Sequence, residues 1–361
     1  MKTDPYGQFA EKPKRKKKRG CCVLVLLIVI AGVGARKWLV PRVQELAADL
    51  PFAASQAEPP EPAKTTEHTK ETTKPVFKAS SEKADAQPDK DLAEALYRTA
   101  IRGETQLEYD SALLGCDTAE QLMAVVHASF DAMAAAHKEV FPFNGTSVHV
   151  TWDGETGIPL GNVQIDLMVS EPFRDKPLES MMQELCGAAD QILAEAPADG
   201  SDFDKALFVH DYLVEHVTYN TKAMGSGFSV SHTAYGAIVK HSAVCSGYAA
   251  AYAYLLDRLG VNCLCFDGST YNDDGTIDDD GGHTWNCAEL DGKWYWVDVT
   301  WDDPLDGSGH ELGGPVRHEY CFVDDSKIFE SRVLDAEYDD VPVCTDMTLN
   351  KKLLKADAAE H

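Results

Sequence analysis

No pair of residues constrains this chain more than Asp291-Gly292. It sits between GGHTWNCAEL (281–290) and KWYWVDVTW (293–301), two runs rich in β-forming residues. A dipeptide of this kind between such runs is the strongest short-range signal for a two-residue hairpin. A two-residue turn pairs Leu290 with Lys293, so the numbers of paired residues sum to 583. Cys287 then faces Trp296, Trp285 faces Asp298, and His283 faces Thr300. In this register His283 and Asp298 are diagonal neighbours on one face, about 7 Å apart at the backbone, which an imidazole and a carboxylate can bridge. A slip of one residue would send them to opposite faces, so the register is a sharp expectation.

Upstream lies HSAVCSGYAAAYAYLLDRLG (241–260). Ala249, Tyr252, Leu255, Leu256 and Leu259 recur at helical spacing, and Gly260 stops the run. Cys245 falls in the first turn, where the positive end of the helix dipole favours a thiolate. Gly247 leaves room there for another strand or a substrate to approach closely. Alone, Cys245 would read as a small buried thiol, and His283 and Asp298 as a core histidine and a turn carboxylate. Together, in this order, they supply a nucleophile, a base and an acid that orients the base.

These segments resemble the transglutaminase-like superfamily of papain-type cysteine enzymes, in particular its bacterial, membrane-anchored cell-surface members. The resemblance extends upstream through SDFDKALFVHDYLVEHVTYN (201–220) and SHTAYGAIVK (231–240), and weakly downstream through His318-Glu-Tyr-Cys-Phe. It departs at Lys240-His241-Ser242, where these proteins often carry a glycine and a charged residue. It implies Cys245 as nucleophile, His283 as base and Asp298 as orienting acid. The fold expected is α+β and papain-like, with the cysteine at the N-terminus of a helix packed on an antiparallel sheet carrying the histidine and the aspartate.

Charge divides the chain. Residues 1–19 hold eight Lys or Arg against two acids, whereas residues from 91 onward hold 16 basic and 48 acidic residues. So acidic a surface repels nucleic acid and anionic lipid, although solubility alone accounts for it as well. CCVLVLLIVIAGVGA (21–35) carries no charge, and Trp38, Leu39 and Val40 extend it beyond Arg36 and Lys37. The expectation is a cytoplasmic basic segment at 1–20 and a transmembrane signal-anchor at 21–40, with a cleaved signal peptide as runner-up. Residues 41–90, rich in Pro, Ala, Thr, Glu and Lys, read as a disordered linker. An N-terminal α+β lobe is expected at 91–200, after which Pro197 and Gly200 mark a boundary, and a catalytic domain at 201–361. Thr118 and Ser201 with Asp204 are the expected helix caps.

Two metal readings compete with the triad. Cys263, Cys265, His283 and Cys287 offer four soft ligands to zinc, but their spacing matches no common zinc pattern and binding would consume the base. The five aspartates of the segment 271–282 lack the alternating ligands and terminal Glu of an EF-hand, so a solvated cover over the cleft is preferred. The expected function is an extracytoplasmic cysteine protease or amidase, favoured over a transglutaminase. It would act through a thioester on a surface peptide or cell-wall peptide, without cofactor, metal or nucleic acid. The alternative is a non-catalytic surface-binding or scaffolding module with a vestigial triad.

Overall fold

The computed structural model describes residues 86–153, 156–225, 227–272, 274–303, 315–335, 338 and 340–360. The basic segment 1–20, the apolar segment 21–40 and nearly all of the linker 41–90 lie outside the described residues. Among the described residues no helix is long and apolar enough to cross a membrane. Two compact units emerge. One comprises 86–137 with Phe143–Ser170, the other Lys138–Pro142 with 171–360.

The smaller unit holds α1 (Lys90–Ile101), β1 (Gln106–Asp110), α2 (Ala119–Ala136), β2 (Phe143–Trp152) and β3 (Pro159–Val169). Its antiparallel sheet runs β1-β3-β2. Leu92, Leu96, Leu122, Val126, Phe130 and Met133 supply the buried helix faces, and Val163, Ile165 and Leu167 the buried sheet face. Thr118 caps α2 by accepting from the Gln121 N–H at 3.2 Å, as the sequence signature predicts. Helix α1 stops at Ile101, because Gly103 turns left-handed (φ 68°) and the next segment pairs with β3.

The larger unit contains α3 (Leu178–Leu193), α4 (Asp202–His216), β4 (Thr218–Tyr219), α5 (Ala234–Ile238), β5 (Ser242–Ala243) and α6 (Cys245–Arg258). Then come β6 (Cys263–Tyr271), β7 (Ile277–Leu290), β8 (Lys293–Val297), α7 (Val299–Asp302), β9 (Cys321–Val323), α8 (Asp325–Ile328), β10 (Arg332–Leu334) and α9 (Thr348–Glu360). The five longer-range strands form an antiparallel sheet in the order β10-β6-β7-β8-β9. The boundary expected at 200/201 falls instead at 170/171. The reason is α3, which buries Met182, Leu185 and Ala189 and is tied to its own unit by Tyr235 Oη donating to Glu184 at 2.6 Å and by the Arg258–Asp190 ion pair.

The hairpin register holds. Leu290 pairs with Lys293, Cys287 with Trp296 and Asn286 with Val297. Asp291 and Gly292 both take positive φ, 50° and 78°, as a two-residue turn of the mirror-image type requires. Beyond Val297 the ladder ends, so the expected pairs Trp285 with Asp298 and His283 with Thr300 do not form. Asp298 leaves the strand: its N–H donates to Tyr320 O at 3.0 Å, and its side chain caps α7 by accepting from the Trp301 N–H at 3.2 Å. The acidic segment also differs from expectation. β7 already begins at Ile277, which pairs with Tyr271, so much of the expected cover is a hairpin arm.

Helix α6 lies against β6 and β7, and Asn286 Nδ2 fixes it by donating to Ala249 O at 3.1 Å. Gly247 is required here. A Cβ on it would sit 2.3 Å from Ser231 O, so the space serves the protein's own backbone. The core under the sheet gathers Phe266, Trp285, Cys287, Trp296, Val323, Ile328 and Cys344. A fully buried tryptophan removes 150–250 Å² from water, an upper bound of about 4–6 kcal/mol each. Such packing fixes β7 as a rigid platform for His283.

Candidate active site

Cys245 opens α6 behind the N-cap Val244, whose side chain makes no capping hydrogen bond. The first-turn N–H groups of such a helix have no intrahelical partner and face whatever lies before the helix. Cys245 is half-buried, whereas most of α6 is buried. His283 stands on β7 with 8% of its surface exposed, and Asp298, 1% exposed, follows β8. The imidazole Nε2 lies 2.7 Å from Asp298 Oδ2. That leaves Nδ1 for Cys245, whose side chain acts on the same ring. Thiol, imidazole and carboxylate therefore form one connected line, although Asp298 is a helix cap and not a strand residue.

Electrostatics around this line are directional. Burial pushes the His283 imidazole down, but the charge and hydrogen bond of Asp298, with the Cys245 contact, outweigh it and raise it to about 9. Burial acts oppositely on Asp298, and there too it loses. The charges of His283 and Arg332, the His283 hydrogen bond and the Trp301 N–H hold the carboxyl below its ordinary range. At neutral pH the ring is an imidazolium against a carboxylate. Tyr219, on β4, is the other close neighbour, and its phenol interacts with the Cys245 backbone. Burial first, then the Cys245 and Asp298 charges, push its phenol up.

Two of these neighbours escape a reading of the sequence. Tyr219 lies in the motif HVTYN but carries no signal that would set it apart from a core tyrosine. Arg332 is 87 residues beyond Cys245, yet its Nη2 lies 3.1 Å from Asp298 Oδ2 with the whole residue 0% exposed. The only available signal was weak: a lone arginine between Ser331 and Val333 in a short strand.

The zinc set does not converge. Cys287 Sγ lies 3.5 Å from Cys344 Sγ, and Cys265 Sγ approaches Ala249 O at 3.6 Å. Among the described residues the one group of close metal-ligating atoms is His210, Asp211 and His318. Each ring nitrogen there already has a carboxylate partner. His210 Nδ1 meets Asp211 Oδ1 at 2.9 Å and Nε2 meets Asp302 Oδ2 at 3.1 Å. His318 Nε2 meets Asp211 Oδ1 at 3.0 Å and Nδ1 meets Asp357 Oδ1 at 3.0 Å. Carboxylates and imidazoles thus alternate along a line from Asp302 to Asp357.

With this geometry in hand, the relatives of the chain can be stated. Residues 188–299 match the model of the transglutaminase-like superfamily. This stretch is a transglutaminase-like domain, of a class that comprises cysteine hydrolases and acyltransferases, and its fold is α+β as the sequence predicts. Over 109 residues the chain is 23% identical to the mouse (Mus musculus) kyphoscoliosis peptidase, covering 29% of this chain and 16% of that protein. The chain therefore spans about a sixth of the length of that relative. Among solved structures, a transglutaminase shares 15% identity over 44% of this chain and 44% of its own, with a TM-score of 0.28. A structure from Cytophaga hutchinsonii described as a candidate cysteine protease shares 14% identity over 56% of this chain and 83% of its own, with a TM-score of 0.26.

Proposed function

We propose that the chain is a membrane-anchored, extracytoplasmic cysteine hydrolase that cleaves amide bonds of a surface peptide or cell-wall peptide through a thioester. One observation carries the chemistry: a half-exposed thiol at a helix N-terminus touches a buried imidazole that is itself held by a buried carboxylate. The location rests on the basic segment 1–20 before the apolar run 21–35, which keeps the N-terminus inside and sends the rest out; a cleaved, secreted form is the runner-up.

In this reading the Cys245 thiolate attacks the carbonyl carbon of a peptide amide. The carbonyl electrons move onto oxygen, which the backbone N–H of Cys245 helps to stabilise. The His283 imidazolium then gives its proton to the leaving nitrogen, and the C–N bond breaks to leave a thioester on Cys245. Water, deprotonated by His283, attacks the thioester and frees an acid. An amine in place of water would give transamidation. Asp298 holds Nε2 throughout, so the ring presents Nδ1 to the thiol.

The second reading, a binding module with an unused triad, draws on Tyr219. Its phenol interacts with the Cys245 backbone, close to where an oxyanion would have to bind. A direct experiment separates the two. The purified chain is treated near neutral pH with limiting iodoacetamide, and each thiol is quantified by mass spectrometry. The hydrolase reading expects Cys245 to be modified far ahead of Cys116 and Cys186, which are also half-buried. Equal rates at all three would sink it. Peptide substrates in ¹⁸O-labelled water, with and without an added amine, then report whether water or amine accepts the acyl group.

A further inference from the structure

Arg332 occupies a position that packing alone does not explain. It is the first residue of β10, pairs with Thr270 of β6, and is 0% exposed. Its guanidinium lies among three aromatic rings, with the ring centroid of Trp301 at 4.1 Å, Tyr320 at 4.6 Å and Trp285 at 5.7 Å. Among the described residues none of its guanidinium N–H groups makes a hydrogen bond, and Asp298 is the one acid it pairs with. A guanidinium is charged at every accessible pH. Burying one with no hydrogen bonds is costly, and an apolar side chain would fill the aromatic cage with less strain on stability. What the arginine adds is a permanent cation on the far side of the carboxylate that holds His283.

The geometry makes the consequence definite. Asp298 Oδ2 is hydrogen-bonded to His283 Nε2 at 2.7 Å, Arg332 Nη2 stands 3.1 Å from the same oxygen as an ion pair, and Oδ1 accepts from the Trp301 N–H at 3.2 Å. One oxygen thus serves two cations. We propose that Arg332 is a positioning residue for the Cys245–His283–Asp298 line: it fixes the carboxylate and takes up part of its charge, which keeps the imidazolium able to hand its proton to a leaving group. This rests on the reading of that line as catalytic. Without Arg332 the whole charge of Asp298 would act on His283 and hold its proton more tightly. The other titratable groups that face this line are Cys245 at the start of α6, Tyr219 on β4, Asp302 at the end of α7 and Tyr320 just before β9.

Iodoacetate provides the readout. This anion reacts with a thiolate fastest while a neighbouring imidazolium is present, so its rate at Cys245 falls on the alkaline side as His283 loses its proton. In Arg332→Met that alkaline limb should move to higher pH by about one unit, while Arg332→Lys, which keeps a cation in the cage, should stay nearer the wild type. In the Asp298→Asn background, Arg332→Met should move nothing, because the arginine acts through the carboxylate. A limb that stays in place in Arg332→Met overturns the proposal and leaves the residue a structural plug. If Arg332→Met fails to fold, the ¹³C shift of the Asp298 carboxyl in His283→Ala decides. With Arg332 as its one remaining cation, Asp298 should stay ionised below the ordinary carboxylate range, and titration at or above that range overturns the proposal. That second measurement needs no reactive thiol. A chain in which Cys245 is inert while Asp298 stays ionised would refute the hydrolase reading and leave the Arg332–Asp298 contact standing.

Discussion

Two lines of buried histidines and aspartates run through the larger unit, and they differ in one respect that decides what each can do. The first is Cys245–His283–Asp298–Arg332; the second is Asp302–His210–Asp211–His318–Asp357. They meet at the short helix α7, which Asp298 caps and Asp302 ends. Asp302 also accepts from the Tyr320 N–H at 2.9 Å, while Tyr320 O receives the Asp298 N–H at 3.0 Å. The second line is closed: both nitrogens of both rings face carboxylates, and His210 is fully buried. The first is open, because His283 has one nitrogen on a carboxylate and the other at a half-exposed thiol. A buried His–Asp pair is a structural device by default. A free end with a thiol on it is what the proposed chemistry needs.

The strongest way to break this comparison is to remove the open end. Cys245→Ala should abolish iodoacetamide labelling at that site and any amide turnover, with the melting temperature nearly unchanged, since a half-exposed first-turn thiol contributes little packing. Turnover that survives the substitution would mean that the first line is no more catalytic than the second. Asp298→Asn should also reduce turnover strongly, because the amide favours the wrong imidazole tautomer, but less than Cys245→Ala does.

The closed line should respond in stability instead. Asp302→Asn removes one of the two carboxylates that flank His210, leaving a buried imidazolium short of a partner. Breaking a buried pair in this way costs about 3–5 kcal/mol. Urea unfolding should show that loss, while the iodoacetate pH profile of Cys245 keeps its shape. A profile displaced as far as in Arg332→Met would show that the two lines act as one.

Much of the open line was legible in sequence because local rules fix it. Asp291-Gly292 sets the register, and the Ala-rich run after Cys245 sets the helix. Its other half was not, for physical reasons. Asp298 reads as a strand residue, since it continues the alternation of KWYWV, but its carboxylate competes for the Trp301 N–H and ends the ladder. Arg332 meets Asp298 only because β10 adds to the far edge of the sheet, and a three-residue strand gives no periodicity to read. The Asp- and Gly-rich start of β7 looks like a loop, as both residues are depleted in strands, yet pairing with β6 overrides composition. The closed line was invisible altogether: its five members come from three helices and a loop and share no spacing.

Both lines predict the same sign of pH dependence. Burial lowers His283, His210 and His318, but their partners prevail (Asp298 at His283, Cys321 with Asp211 and Asp302 at His210, Asp211 and Asp357 at His318) and all three are raised in the folded chain. A raised histidine stabilises the fold fully below its unfolded value near 6.5, and that stabilisation is lost as pH climbs through the folded value, about 9 for His283. Its share is on the order of 3 kcal/mol at 1.36 kcal/mol per unit. The melting temperature should therefore fall on the alkaline side between pH 7 and 10, and His283→Ala should flatten part of that fall. A melting temperature that rises over this range would contradict the imidazolium assignment in both lines.

The smallest effect belongs to the outer end of the closed line. Asp357, on α9, holds His318 Nδ1 at 3.0 Å, but its side chain is 25% exposed and water can replace it. His318 keeps Asp211 on its other nitrogen. Partly exposed ion pairs contribute about 1 kcal/mol or less, so Asp357→Asn should lower the urea midpoint slightly and leave both Cys245 labelling and its pH profile untouched. The contrast with Asp302→Asn is the sharper test, since the two substitutions remove chemically identical partners from opposite ends of one line. If the buried and the exposed end cost the same, burial does not set the strength of these contacts. The same inference for Arg332, which rests on burial at the opposite end of the open line, would then lose its footing.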